Sequence, residues 1–267
     1  MNNSAPRVLV FDSGVGSLSI GREIHSRLPA LNLLYALDSA GFPYGEWDEN
    51  KLTEHICTTV MALVEQTKPD LMVLACNSAS TAVLPALRQK LSIPVVGVVP
   101  AIKPAAKLSR SGVIGLLATP GTVRRPYTAQ LITDFAQNCT VISVGNAELA
   151  PAIERLYWSG DQAESLYARI ADTFAQHPRC NEMDTLVLAC THFPLIAGEL
   201  SKHFPGVHLI DSGEAIARRV EQLLAPQTGG GHAEQRALII GDRPFSETFR
   251  QRLQALGIEH VVRISVR

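Results

Sequence analysis

The chain has 267 residues, 46% hydrophobic and 18% charged, which is enough apolar side chain for a buried core and too little charge for a disordered chain. Its formal net charge of -1, with no long run of like charge, points away from nucleic acid or an anionic membrane as the main partner. No apolar run reaches bilayer length, and Met1–Arg7 lacks the pattern of a signal peptide, so a cytoplasmic location is expected.

Along the chain, short β-rich apolar runs alternate with helix-length segments, a pattern that predicts an α/β fold with mostly parallel sheets. The first strand, Arg7–Phe11, leads into Asp12-Ser13-Gly14-Val15-Gly16-Ser17. The glycines there permit a tight turn with close backbone approach. The segment lacks the third glycine of a dinucleotide loop, because Ser19 holds that place, and Asp12 would repel a pyrophosphate. Asp12 reads either as a helix cap or as a carboxylate beside a substrate ammonium or a reactive thiol. A second strand, Leu33–Leu37, precedes the turn-rich Phe42-Pro43-Tyr44-Gly45, where Tyr44 and the Gly45 backbone can line a pocket or simply form the turn. Asp48 is placed to cap a helix in which Leu52, Ile56, Val60 and Leu63 recur at helical spacing.

The third strand, Leu71–Ala75, runs into Cys76-Asn77-Ser78-Ala79-Ser80. A thiol at a strand-to-helix junction sits near free helix N–H groups, which attract carboxylates and favour thiolate. Asn77, Ser78 and Ser80 can cap the helix or bind a ligand. Further strands are expected at Val95–Val98, Val113–Leu117, Thr140–Val144, Leu186–Ala189, Val207–Ile210 and Ala237–Ile240, and Ala225–Gly231 reads as an exposed loop.

Five cysteines, an odd number without a CxxC pair, are expected to be free thiols. Cys57 and Cys139 read as packing residues, and Cys180 falls in a polar loop. Cys190 differs from these. Asp184-Thr185-Leu186-Val187-Leu188-Ala189-Cys190-Thr191 echoes Asp70-Leu71-Met72-Val73-Leu74-Ala75-Cys76-Asn77, and Leu209-Ile210-Asp211-Ser212-Gly213 echoes Val10-Phe11-Asp12-Ser13-Gly14. The echoes predict two similar α/β halves, each presenting one cysteine at the carboxyl end of a strand, where open α/β sheets bind ligands. His192 can hold or relay a proton for Cys190, and Pro194 suits the first turn of a following helix. Cys190 and His192 are only two clustered donors, which argues against zinc. The residues alone leave open that both thiols are merely small buried hydrophobes.

Taken in order, Phe11-Asp12-Ser13-Gly14-Val15-Gly16, Phe42-Pro43-Tyr44-Gly45, Ala75-Cys76-Asn77, Val96–Ala101, Ala118-Thr119 with Gly121-Thr122-Val123, Cys190–Leu195 and Asp211-Ser212-Gly213 resemble the glutamate-specific branch of the aspartate/glutamate racemase family. The resemblance implies two α/β domains with the site in their cleft, residues 1–98 and 208–267 forming one and 99–207 the other. It implies interconversion of L- and D-glutamate for peptidoglycan, without a cofactor. Cys76 is matched to the base for the D-enantiomer and Cys190 to that for the L-enantiomer, with Asp12, His192 and Glu154 assisting. Substrate-holding residues carried over are Asp12, Ser13, Pro43, Tyr44, Gly45, Asn77, Ser78, Thr119, Thr122, Thr191 and His192. The chain departs from the family pattern at Ser17, Ser39, Gly41, Ser78 and Ala189. The expected partner is the amino acid itself, with monomer and homodimer both open. Rival readings are an aspartate racemase, a non-enzymatic amino-acid-binding protein and a thiol hydrolase; the last leaves one cysteine unexplained.

Overall fold

The computed structural model describes residues 5–224 and 233–266, so the loop expected at 225–231 lies outside the described residues. The chain begins with β1 (Arg7–Asp12), α1 (Gly16–Arg27), β2 (Asn32–Asp38), α2 (Glu49–Thr67), β3 (Leu71–Leu74), α3 (Asn77–Lys90) and β4 (Val95–Gly97). It continues through α4 (Ile102–Leu108), β5 (Val113–Ala118), α5 (Pro120–Arg124), α6 (Pro126–Phe135), β6 (Thr140–Gly145), α7 (Leu149–Ser159), α8 (Glu164–Ala175), β7 (Thr185–Leu188), α9 (Ala197–Ser201) and β8 (His208–Ile210). It closes with α10 (Gly213–Leu224), β9 (Gln235–Ile240), α11 (Glu247–Gln254) and β10 (His260–Arg263).

These elements build two α/β domains around separate sheets, ordered β10-β9-β2-β1-β3-β4 and β6-β5-β7-β8. Every strand pair is parallel. Strands covered on both faces need continuous apolar runs, which is why β1, β3, β5 and β7 are buried almost throughout. Asp48 caps α2 as expected, accepting from the N–H groups of Asn50 and Lys51 at 3.1 Å. Among the described residues, no helix is long and apolar enough to cross a membrane.

Two expectations need correction. The first domain was expected to resume at residue 208, yet β8 pairs with β7, Leu186 opposite Leu209 and Val187 opposite Ile210. We therefore propose that the chain leaves the first domain after β4 and returns between β8 and α10. Ser212, at the return, donates its hydroxyl to the Val99 carbonyl at the departure, so the two crossings are tied together. The other correction is β10, which was not anticipated. It is a short, largely exposed edge strand held by β9 alone, so no buried apolar face marks it in the sequence.

Strand order reverses between β1 and β3 in one sheet and between β5 and β7 in the other. Open α/β sheets bind ligands outside the carboxyl ends of strands at such switch points. Asp12 ends β1, Cys76 follows β3, Thr119 follows β5 and Cys190 follows β7, so all four belong to the switch points.

Candidate active site

A small cavity lies where the two switch points face each other. Cys76 and Asn77 enter its wall from the first domain, and Cys190, Thr191 and His192 from the second. Ser13, Pro43, Tyr44, Gly45, Ser78, Thr119 and Thr122 of the expected set also line it, and Phe42, Ala150 and Ala189 join them. All five cysteines are free, as expected. Cys57 is buried on α2, Cys139 adjoins β6, and Cys180 occupies a short 3-10 turn over Cys180–Glu182. None of these three lines the cavity.

The surroundings of Cys76 and Cys190 are less alike than their sequences. Cys76 is the N-terminal cap residue of α3, in extended conformation, and the N–H groups of Ser78 and Ala79 approach its sulfur. Burial, followed by the charge of Asp12, nevertheless pushes its thiol well above the ordinary cysteine range. After Cys190 the chain enters a 3-10 turn, Phe193–Ile196, with Pro194 in its first turn as expected, and α9 follows directly. A histidine precedes that turn: His192 Nδ1 is 3.9 Å from Cys190 Sγ, and Nε2 is 2.8 Å from Glu154 Oε1. Burial opposes a charged ring. The hydrogen bonds to Cys190 and Glu154, with the charges of Cys190 and Asp12, outweigh that and hold the imidazolium well above the usual histidine range.

Asp12 is fully buried and is not a helix cap. Its carboxylate accepts from Ser13 Oγ at 3.0 Å and Thr191 Oγ1 at 2.7 Å. Burial raises its pKa from 3.8 to about 6, against the pull of His192 and the two hydroxyls. Asp12 was expected both to assist the thiols and to hold the substrate, and Glu154 to assist. Asp12 stands behind the wall instead, behind Ser13 and Thr191, and Glu154 stands behind His192.

The glycines of the first loop permit this second layer. A Cβ on Gly14 would overlap Glu154 Oε1, and one on Gly16 would overlap Asp12 Oδ2 and come within 2.8 Å of His192 Nδ1. The next residue, Val15, donates its N–H to Glu154 Oε1 at 2.6 Å. The first loop thus packs against the carboxylate of the other domain's helix α7.

On the same cavity wall, Ser78, Thr119 and Thr122 form a hydroxyl cluster with oxygen separations of 3.0 to 3.4 Å. Thr119 also caps α5. Asn77 Oδ1 is buried and has no hydrogen-bond partner, an orphan of the kind that a bound polar ligand would satisfy. Ser80 neither caps α3 nor reaches the cavity. It donates to the Leu74 carbonyl and accepts from the Val98 N–H, locking α3 to β4. Sequence reasoning missed Asp38, which accepts from the Tyr44 hydroxyl at 2.5 Å, has His55 Nε2 at the same distance and anchors the Phe42–Gly45 turn. A buried acid four residues before a turn was the available signal. Among the described residues, no lysine or arginine lines the cavity, and His192 is the one basic side chain there. Among the described residues, no group of three or more histidine, cysteine, aspartate or glutamate side chains is arranged to hold a metal ion.

Residues 14–220 match the model of a family described as Asp/Glu/Hydantoin racemase. The chain is 47% identical to a glutamate racemase of Vibrio cholerae over 97% of its own length and 96% of that protein's. It is 46% identical to a glutamate racemase of Shewanella loihica, covering 94% and 92% of the two chains. Its structure matches that of Escherichia coli glutamate racemase, solved with L-glutamate and the activator UDP-MurNAc-ala, with a TM-score of 0.90, 43% identity and 98% of each chain covered.

Proposed function

Since this chain belongs to the Asp/Glu/Hydantoin racemase family, we propose that it interconverts L- and D-glutamate by two proton transfers, with Cys76 and Cys190 as the acid–base groups. It is an amino-acid racemase, an isomerase. The observation that carries the two-thiol reading is the placement of both sulfurs on one small cavity, one from each sheet. Inversion at carbon requires a proton to leave one face and another to arrive on the opposite face. Two bases on opposite walls do this without turning the substrate over.

The surroundings of the two thiols differ. Burial and Asp12 favour the thiol form of Cys76, while Cys190 has the His192 ring 3.9 Å away as a group that can hold or relay its proton. With L-glutamate, Cys190 acts as base and removes the α-proton, and Cys76 donates to the other face. With D-glutamate the roles reverse, Cys76 acting as base and Cys190 as acid. Negative charge developing on the α-carboxylate is met by neutral donors, and the Ser78–Thr119–Thr122 hydroxyls and the Asn77 amide are available for the two carboxylates. Neither step calls for a cofactor. The reaction would serve as a cytoplasmic source of D-glutamate for peptidoglycan.

The test is chiral analysis of metal-chelated, pyridoxal-free protein incubated with each enantiomer of glutamate and of aspartate. Glutamate is expected to turn over in both directions, with equal kcat/KM because the enantiomers have equal free energy in water. Turnover of aspartate alone would reassign the substrate. Binding without α-proton exchange would make the chain a binding protein.

A further inference from the structure

The Glu154 carboxylate takes more than the histidine. Oε1 accepts from Val15 N–H and lies 2.8 Å from His192 Nε2, while Oε2 accepts from Trp158 Nε1 at 2.8 Å. The fourth neighbour is Arg243, in the segment between β9 and α11, with Nη1 3.8 Å from Oε2. The Arg243 guanidinium also lies over the Trp158 ring, 4.5 Å from its centroid. Trp158 stacks on Phe249 of α11, with centroids 3.8 Å apart and planes 5° from parallel. Ser246 caps α11 and donates to the Trp158 carbonyl. Arg263 of β10 reaches the carbonyls of Asp242 and Arg243, fixing the backbone that carries the guanidinium.

A continuous series of contacts therefore runs from the C-terminal segment of the first domain, through Trp158 and Glu154 on α7, to His192 and Cys190. We propose that Arg243 is a positioning residue for the acid–base group at Cys190. It offsets the buried Glu154 charge and holds the Trp158 indole against that carboxylate, so that Glu154 orients His192 toward the sulfur. Arg243 does not line the cavity and acts only through these groups. The inference rests on Cys190 being catalytic.

Removing a cation raises the proton affinity of the groups near it. Those near Glu154 are Asp12 at the end of β1, His192 after β7, with Cys190 on the far side of the His192 ring, and Arg243 itself. The ion pair is long and Arg243 is 37% exposed, so solvent screens the effect.

The experiment compares Arg243→Gln, Arg243→Lys and Cys190→Ala with the parent protein, using kcat, KM and pH–rate profiles in both directions and circular dichroism for folding. Arg243→Gln is expected to lower kcat/KM about three- to fivefold, the range set by a partly exposed ion pair. Its pH–rate profile should move to higher pH, and Arg243→Lys should restore the profile more than the rate, because lysine supplies charge without the planar stack. Wild-type profile and kcat in folded Arg243→Gln, with Cys190→Ala inactive, overturn the role of Arg243 and leave the two-thiol reading standing. Racemisation by folded Cys190→Ala overturns that reading and, with it, the positioning role.

Discussion

Asp12→Asn separates the contribution of this carboxylate to catalysis from its cost to stability. Asp12 is fully buried, and its pKa is raised from 3.8 to about 6. The folded protein therefore binds the Asp12 proton more tightly than the unfolded chain does. Its stability is greatest below the unfolded pKa and falls as pH rises toward the folded one. The shift of roughly 2 units corresponds to about 3 kcal/mol of destabilisation once the group is ionised in both states. Roughly half of that accrues between pH 5 and pH 8, or about 1 to 2 kcal/mol. Asparagine removes the titration. It also turns an amide N–H₂ toward one of the two hydroxyls that now donate to the carboxylate, at a cost on the order of 1 to 2 kcal/mol. Asp12→Asn is thus expected to be close to neutral at pH 5 and more stable than the parent at pH 8, while losing most of its kcat because Thr191 and the thiols lose their neighbouring charge. Urea unfolding of both proteins at the two pH values, beside chiral activity assays, supplies the comparison. A stability difference that is the same at pH 5 and pH 8, or that favours the parent more at pH 8, refutes the argument that Asp12 is held ionised at a cost. Near-normal turnover in the variant would make the carboxylate structural.

Two other perturbations follow from the same geometry. Cys76→Ala and Cys190→Ala should each abolish racemisation in both directions while remaining folded by circular dichroism. In deuterated water the parent's early product should carry deuterium and its recovered substrate little; equal early labelling would indicate a single base or fast exchange. Gly16→Ala places a methyl group into Asp12 Oδ2, with Thr191 Oγ1 2.5 Å and His192 Nδ1 2.8 Å away. It should lower stability by about 1 to 3 kcal/mol, as overpacking of a tight site does, and reduce kcat by more than tenfold. An unchanged Tm and rate would show that the second layer tolerates displacement.

The alternating α/β pattern, most of the strands and the residues of the cavity wall are legible along the chain. Strands buried on both faces need unbroken apolar runs, and ligand-binding residues of open sheets collect in the short segments just after those runs. Cys76 and Cys190 stand out because matched strands carry each to such an end, while Ser78, Thr119 and Thr122 belong to other strand-end segments. The second layer left no comparable pattern. Glu154 meets the backbone of Val15 across 139 positions of sequence, and Arg243 reaches Glu154 only because α11 packs against α7. Likewise, pairing with β7 decides that β8 belongs to the second sheet, and the approach of Glu154 from α7 decides how His192 is held beside Cys190. Local periodicity reports which face of an element is buried. Which distant group waits on that face, at what distance and with what charge, is settled only when the two sheets close on each other.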